Sequence, residues 1–169
     1  MTTSTRASQR RAVAMDDEQV ASYLASQTKV QVASIGRDGM PHLTTLFYVM
    51  DEGRIAFWTY ATSQKVRNLE RDPRISALVE TGSDYFELAG VSIRGTAEIV
   101  RDHDRIRAIG SRVTAAMSGV GSIDELGDLG RDIVEKQVLK RVAILVTADH
   151  VASWDHSKMT ALPGEGGTQ

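Results

Sequence analysis

The sequence predicts an α+β fold, a small antiparallel β-barrel of about six strands flanked by short helices. Three observations carry this prediction. The segment "KVQVASIGRDGMPHLTTLFYVMDEGRIAFWTY" holds three β-patterned runs joined by turn signals with no helix between them, which makes an antiparallel meander. A parallel sheet would place a helix between most strands. The later runs "YFELAGVSIRGTAEIV" and "RVAILVTADHVASWD" are long for single strands, and long bent strands close into a barrel that disposes of exposed edges.

The elements follow in order. Asp16 or Asp17 opens a helix, since Val20, Tyr23 and Leu24 recur at helical spacing and acids fill the first turn. Val30, Val32 and Ser34 then alternate with Gln31, Ala33 and Ile35, and Arg37-Asp38-Gly39 turns the chain. A second strand runs from Pro41 to about Asp51, and Asp51-Glu52-Gly53 turns it into a third, Arg54 to Tyr60. Residues 61–73, "ATSQKVRNLERDP", form a short amphipathic helix closed by Pro73. "RISALVET" is the fourth strand, and Gly90 and Gly95 are expected as bends or bulges in the fifth. A helix capped by Asp102 or Asp104, a Gly-punctuated connection, a short helix "RDIVEKQVLK" and a last strand from Arg141 complete the chain.

A chain of 169 residues suits one domain. Residues 1–14 read as a mobile arm, 15–160 as the domain, and the Gly-rich 161–169 as a disordered tail. The first residues carry Arg6, Arg10 and Arg11 without an apolar core, so no signal peptide is expected. No apolar run approaches the roughly 20 residues of a membrane span. A net charge of −2 speaks against a nucleic-acid surface, though not against a local basic pocket. The absence of cysteine removes disulfides, thiolate ligands and thiol nucleophiles, and fits a cytoplasmic protein. His42, His103, His150 and His156 lack ligand spacing, so no metal is expected, and no Walker loop, GxGxxG, HExxH or GxSxG is present.

The helix in 61–73 carries its charges in reverse. Lys65 and Arg67 stand near its start and Glu70 and Asp72 near its end, each costing about 0.3–1 kcal/mol against the helix dipole. Thr62 or Ser63 can cap it, and the free amides, a hydroxyl and Lys65 together form an anion site, with phosphate the obvious occupant. The same charges also fit a solvated face in which Arg67 pairs with Glu70.

"GMPH", "FWT", "KVRNLERDPRISALVE", "GTAEIV" and the closing "SWDHSKM" together resemble the split-barrel flavin and deazaflavin oxidoreductases, relatives of pyridoxamine 5′-phosphate oxidase. The resemblance is nearest to the members that use coenzyme F420, a 5-deazaflavin. It implies an FMN-binding split barrel in which Thr59, Thr62, Ser63 and Lys65, with Arg67 and Asn68 contributing less, grip the cofactor phosphate. It further implies that His42, Thr44 and Thr45 lie along the ring system and Ala77 and Val79 beside it. In such dimers the C-terminal segment approaches the partner's cofactor. If that segment is extended, Trp154, His156 and Lys158 share a face suited to a planar anion. Trp154 as a plain interface anchor and Lys158 as a solvated cation fit equally well.

The implied activity is hydride transfer from reduced coenzyme F420 to an unsaturated organic acceptor such as a quinone or tetrapyrrole. His156 or water would supply any proton, and the protein would work as a homodimer. The alternatives are an FMN-dependent oxidase or flavin reductase, and a non-catalytic flavin or haem binder with His42 or His156 as axial ligand.

Overall fold

Every β-patterned run joins one antiparallel sheet in a computed structural model that describes residues 11–160. The strands are β1 (Lys29–Ile35), β2 (Pro41–Phe47), β3 (Val49–Asp51), β4 (Arg54–Tyr60), β5 (Arg74–Thr81), β6 (Ala89–Val100) and β7 (Arg141–Asp155). The helices are α1 (Asp17–Ser26), α2 (Gln64–Arg71), α3 (His103–Ser118), α4 (Gly127–Val138) and the single turn α5 (Ser157–Thr160). The expected tail 161–169, and residues 1–10 of the expected arm, lie outside the described residues.

The strand order is β2-β1-β5-β6-β7-β4-β3. Its two edges, β2 and β3, are consecutive pieces of the one strand expected between Pro41 and Asp51. The break falls at Tyr48, whose N–H still bonds Thr28 O on the β1 side at 2.9 Å. The next residue, Val49, already pairs with Ala56 of β4. A strand shared by both edges closes the sheet into a barrel, and the six expected strands appear as seven because that strand changes partner. Closure is incomplete where β2 and the later half of β4 face each other unpaired. Tyr48 is buried at the junction, and its hydroxyl donates to Leu24 O at 2.6 Å. This burial raises its pKa.

Two apolar cores explain the unbroken hydrophobic runs of β4 and β7. Ile55, Phe57, Val142, Ile144 and Val146 face the barrel interior, with Val30, Val32 and Val91. Ala56, Trp58, Ala143 and Leu145 face outward against Ile106, Ile109 and Val113 of α3 and Val134 and Val138 of α4. With both faces covered, the strands lose the polar alternation of a half-exposed sheet. Each large apolar side chain buried this way contributes about 1.5–3 kcal/mol.

Helix boundaries follow their caps. Asp16 caps α1 in a reciprocal box with Gln19, and Asp102 caps α3 by accepting from Arg105 N at 2.8 Å. Helix α3 ends at Gly119, φ +70°. Helix α4 begins at Gly127, four residues before the expected Arg131, following a 3₁₀ turn over Ile123–Leu126. Arg105 and Arg112 clamp α3 to the β3–β4 turn by ion pairs of 2.5 and 2.9 Å to the buried Asp51.

Of the two expected bends, Gly95 marks the β6 bulge, where the register shifts and a Cβ would overlap the Thr147 carbonyl. Gly90 keeps regular pairing with Trp154, and its bare Cα seats the indole. The chain's two described ends meet. Met15 N donates to Ser153 Oγ at 3.0 Å, and Lys158 Nζ donates to Ala14 O at 2.6 Å and Gln19 Oε1 at 2.8 Å. Val13 is buried, so the last residues of the expected arm belong to the packed domain.

Candidate functional site

The open side of the barrel is the split between β2 and β4, and α2 begins there, immediately after β4. Val66 and Leu69 seat α2 on the core, as helical spacing requires. Ser63 is the N-cap in backbone terms (ψ 155°), yet its hydroxyl makes no capping bond. Its Oγ is, among the described residues, one of three buried side-chain polar atoms without a partner, with His42 Nδ1 and Thr44 Oγ1. Buried polar groups are almost always paired, and an unpaired one costs about 1–3 kcal/mol. His42 and Thr44 share one face of β2, two residues apart. His42 also shares the wall of a cavity of about 550 Å³ with Gln64, the first residue of α2.

Lys65 lies half-buried beside them, its Nζ 3.3 Å from the Thr59 hydroxyl. Burial, and to a smaller degree the positive charge of Arg141, lower its pKa. Arg141 opens β7 directly opposite Tyr60 of β4. Its guanidinium lies 4.6 Å from the Trp58 ring centre and 4.3 Å from that of Tyr60, and its Nε donates to Gln137 Oε1 at 3.1 Å. No carboxylate pairs with either cation among the described residues. Two cations without an acid, beside unpaired hydroxyls and free helix amides, form a site for an anion.

The sequence singled out most of this cluster. Lys65 and Thr59 are in contact, and His42 lines one cavity with the first residue of α2, while Thr62 is exposed. Thr45 points the other way, into a second cavity beneath α3 and α4. Other expected positions fall elsewhere. Asn68 is fully buried, donating to Ser34 Oγ at 3.1 Å and accepting from Gln64 Nε2 at 2.9 Å, so it anchors α2 to β1 at the wall of the cavity that His42 and Gln64 share. Arg67 lies across the helix from Lys65, exposed. Its expected partner Glu70 pairs instead with Arg101. Ala77 and Val79 point into the barrel core, 2% and 1% exposed, because the inward phase of β5 is Ile75-Ala77-Val79. Ser76 and Leu78 hold the outward positions.

The C-terminal trio is not on one extended face. The strand ends at Asp155 and the chain turns into α5, which breaks the alternation. His156 Nδ1 lies 2.8 Å from Tyr85 O, and Lys158 is bonded to Ala14 and Gln19. Thirteen residues of β7 separate Arg141 from Trp154, about 40 Å along the strand, so this segment does not reach the Lys65 site of its own chain. Arg141 and Gln64 escaped sequence reading. Arg141 stands 81 positions after Tyr60, and only the register joins them. Its one local signal is a cation directly before a fully apolar run.

The family model for pyridoxamine 5′-phosphate oxidase matches residues 16–155. The chain belongs to the pyridoxamine 5′-phosphate oxidase family. Its architecture is that family's split barrel. Among solved structures it is similar to the conserved hypothetical protein Rv2991 from Mycobacterium tuberculosis. The two share 35% identity over 94% of this chain and 95% of that one, with a TM-score of 0.80. A FAD-binding protein from Mesorhizobium loti shares the fold at 15% identity, covering 83% and 94% of the two chains, TM-score 0.61. So does an F420 reductase at 19% identity, covering 78% and 94%, TM-score 0.52. No curated protein matches the chain. Among the described residues no helix is long and apolar enough to cross a membrane, and no three His, Asp or Glu side chains gather as metal ligands.

Proposed function

We propose that this member of the pyridoxamine 5′-phosphate oxidase family is a cytoplasmic oxidoreductase that binds coenzyme F420. It passes a hydride from the reduced cofactor to an unsaturated organic acceptor. The observation that carries this reading is the set of unpaired groups at the split: Ser63 Oγ, Thr44 Oγ1 and His42 Nδ1 around a half-buried Lys65. Lys65, Ser63, Thr59 and the first amides of α2 hold the cofactor phosphate, with Thr62 at the edge. His42 and Thr44 offer polar contacts along β2 to the ring system. When bound, the cofactor supplies a two-electron hydride donor, so the chain needs no acid–base pair of its own to start the reaction. The F420 reductase among the structural relatives agrees with this choice of cofactor.

The proton that completes the reduction comes from water. His156 Nδ1 lies 2.8 Å from Tyr85 O, so that ring nitrogen is already engaged with a carbonyl. Trp154 and His156 reach a cofactor only across a homodimer, where Lys158 secures the segment that carries them. The second half of β7 supports such pairing, because Thr147–Ala152 is exposed and β4 covers only Arg141–Val146.

Titration of cofactor-free protein with coenzyme F420 and with FMN tests the reading. Lys65→Ala is expected to lose about 1.5–3 kcal/mol of binding, or more than tenfold in Kd. Unchanged affinity in that variant refutes the anion site. Tighter binding of FMN than of coenzyme F420 favours an oxidase or flavin reductase, since the same phosphate site serves either cofactor. Sedimentation of the wild type reads the oligomeric state, and a monomer at micromolar concentration removes Trp154 and His156 from the cofactor site.

A further inference from the structure

The cavity beneath α3 and α4 has no place in the cofactor site as described. It measures about 300 Å³ and is walled by Phe47, Trp58, Met117 and Ile133, with Gln137 and Arg141 at its polar end. Arg141 is the unusual residue among them. The arginines of α3 and α4, namely Arg105, Arg107, Arg112 and Arg131, all pair with carboxylates. Arg141 pairs with none among the described residues. Its guanidinium lies over the Trp58 and Tyr60 rings and its Nε donates to Gln137 Oε1, which leaves its Nη groups without a carboxylate partner among the described residues. A planar guanidinium held in this way is suited to a carboxylate, which it grips with two parallel bonds. Arg141 is also the group whose charge acts on Lys65, so the cavity and the cofactor site meet at this one side chain.

Size narrows the occupant. At about 30 Å³ per water, the cavity holds the equivalent of about ten waters, enough for one or two fused rings and a carboxylate. We propose that this cavity is a ligand site separate from the place of hydride transfer, binding a flat one- or two-ring unsaturated acid whose carboxylate is held by Arg141 and whose rings lie between Phe47, Met117 and Ile133. Binding alone tests it.

Cofactor-free protein is titrated by calorimetry with 2-naphthoate and with neutral 2-naphthylmethanol, a pair that differs in charge and hardly in shape. The acid is expected to bind about tenfold or more tightly than the alcohol, and Arg141→Gln to abolish that difference. Met117→Trp, which fills the cavity from α3, is expected to weaken naphthoate at least tenfold and to leave coenzyme F420 and FMN titrations as in the wild type. Ile133→Trp fills it from α4 and repeats the test should the first variant not fold. Equal affinity for acid and alcohol, naphthoate binding indifferent to both filled variants, or no naphthoate binding at about 1 mM overturns the proposal. Failure of the wild type to bind either flavin is a separate result. It removes the oxidoreductase reading without touching the naphthoate titration.

Discussion

Lys65 is held against its own preference. Desolvation and the nearby Arg141 disfavour its ammonium in the folded chain, so its folded pKa lies below the unfolded value of 10.5. The unfolded state therefore binds more protons in the window below 10.5, and stability rises with pH through that window. Above it both states are neutral and the penalty is gone. Lys65→Met is thus expected to raise the thermal midpoint of the cofactor-free protein at neutral pH, to flatten the alkaline rise, and to forfeit phosphate binding. Thermal melts across pH 7–10.5 check the first two outcomes. Asp72 shows the opposite sign. Its bonds to Arg74 hold its carboxyl at about 2, so whatever it contributes is present above the ordinary value of 3.8 and is lost as the pH falls from there through about 2. Lys65 and Ser63 were legible because chemistry and spacing coincide within one helical turn. Arg141 was not, because its meaning depends on a partner strand far away in sequence.

The reversed charges of α2 resolve at the level of the element. Its terminal acids are both engaged, Glu70 by Arg101 and Asp72 by Arg74, while Arg71 donates to Ile35 O. At the start of the helix Lys65 meets the Thr59 hydroxyl and pairs with no carboxylate among the described residues. Helix α3 depends on a different device. Gly110 lies against the six-membered ring of Trp58, and a Cβ there would overlap it. Gly110→Ala is expected to displace Trp58, cost about 1–3 kcal/mol in denaturant unfolding, and disturb the stack on Arg141. A matching change in Trp58 fluorescence separates this cause from a mere loss of helix stability. The boundaries of β4, β5 and β7 were legible to the residue from the turns and the proline beside them, whereas β6 begins at Ala89, four residues after the expected Tyr85, because Tyr85–Glu87 form a 3₁₀ turn. The face of β5 was not. The run Ile75-Ser76-Ala77-Leu78-Val79 is apolar at four of five positions, so the periodicity does not say which side holds the core.

For the whole molecule, the antiparallel barrel was legible because three runs without helices permit little else. The shared strand was not, since nothing in "PHLTTLFYVMD" announces that Tyr48 changes partner. That change of partner leaves β2 and the later half of β4 facing each other unpaired, and the unpartnered polar atoms belong to His42 and Thr44 of β2 and to Ser63, which follows β4. A ligand seated there bridges strands that no ladder joins. Its binding is therefore expected to slow amide exchange along Pro41–Phe47 and Phe57–Tyr60 together, while the paired interior of β6 exchanges at the same rate with or without it. Exchange that slows on β4 alone would place the ligand outside the split.

The bonds of Lys158 to Ala14 and of Met15 to Ser153 have a consequence for chain connectivity. The fold's first and last described segments are neighbours, so the order in which the elements are strung is not what holds them together. A permuted chain with these segments linked and new ends cut between Val120 and Gly121, in the exposed connection before α4, keeps every strand pairing intact. Such a chain is expected to show the parent's circular dichroism and to retain the Lys65-dependent binding of the cofactor.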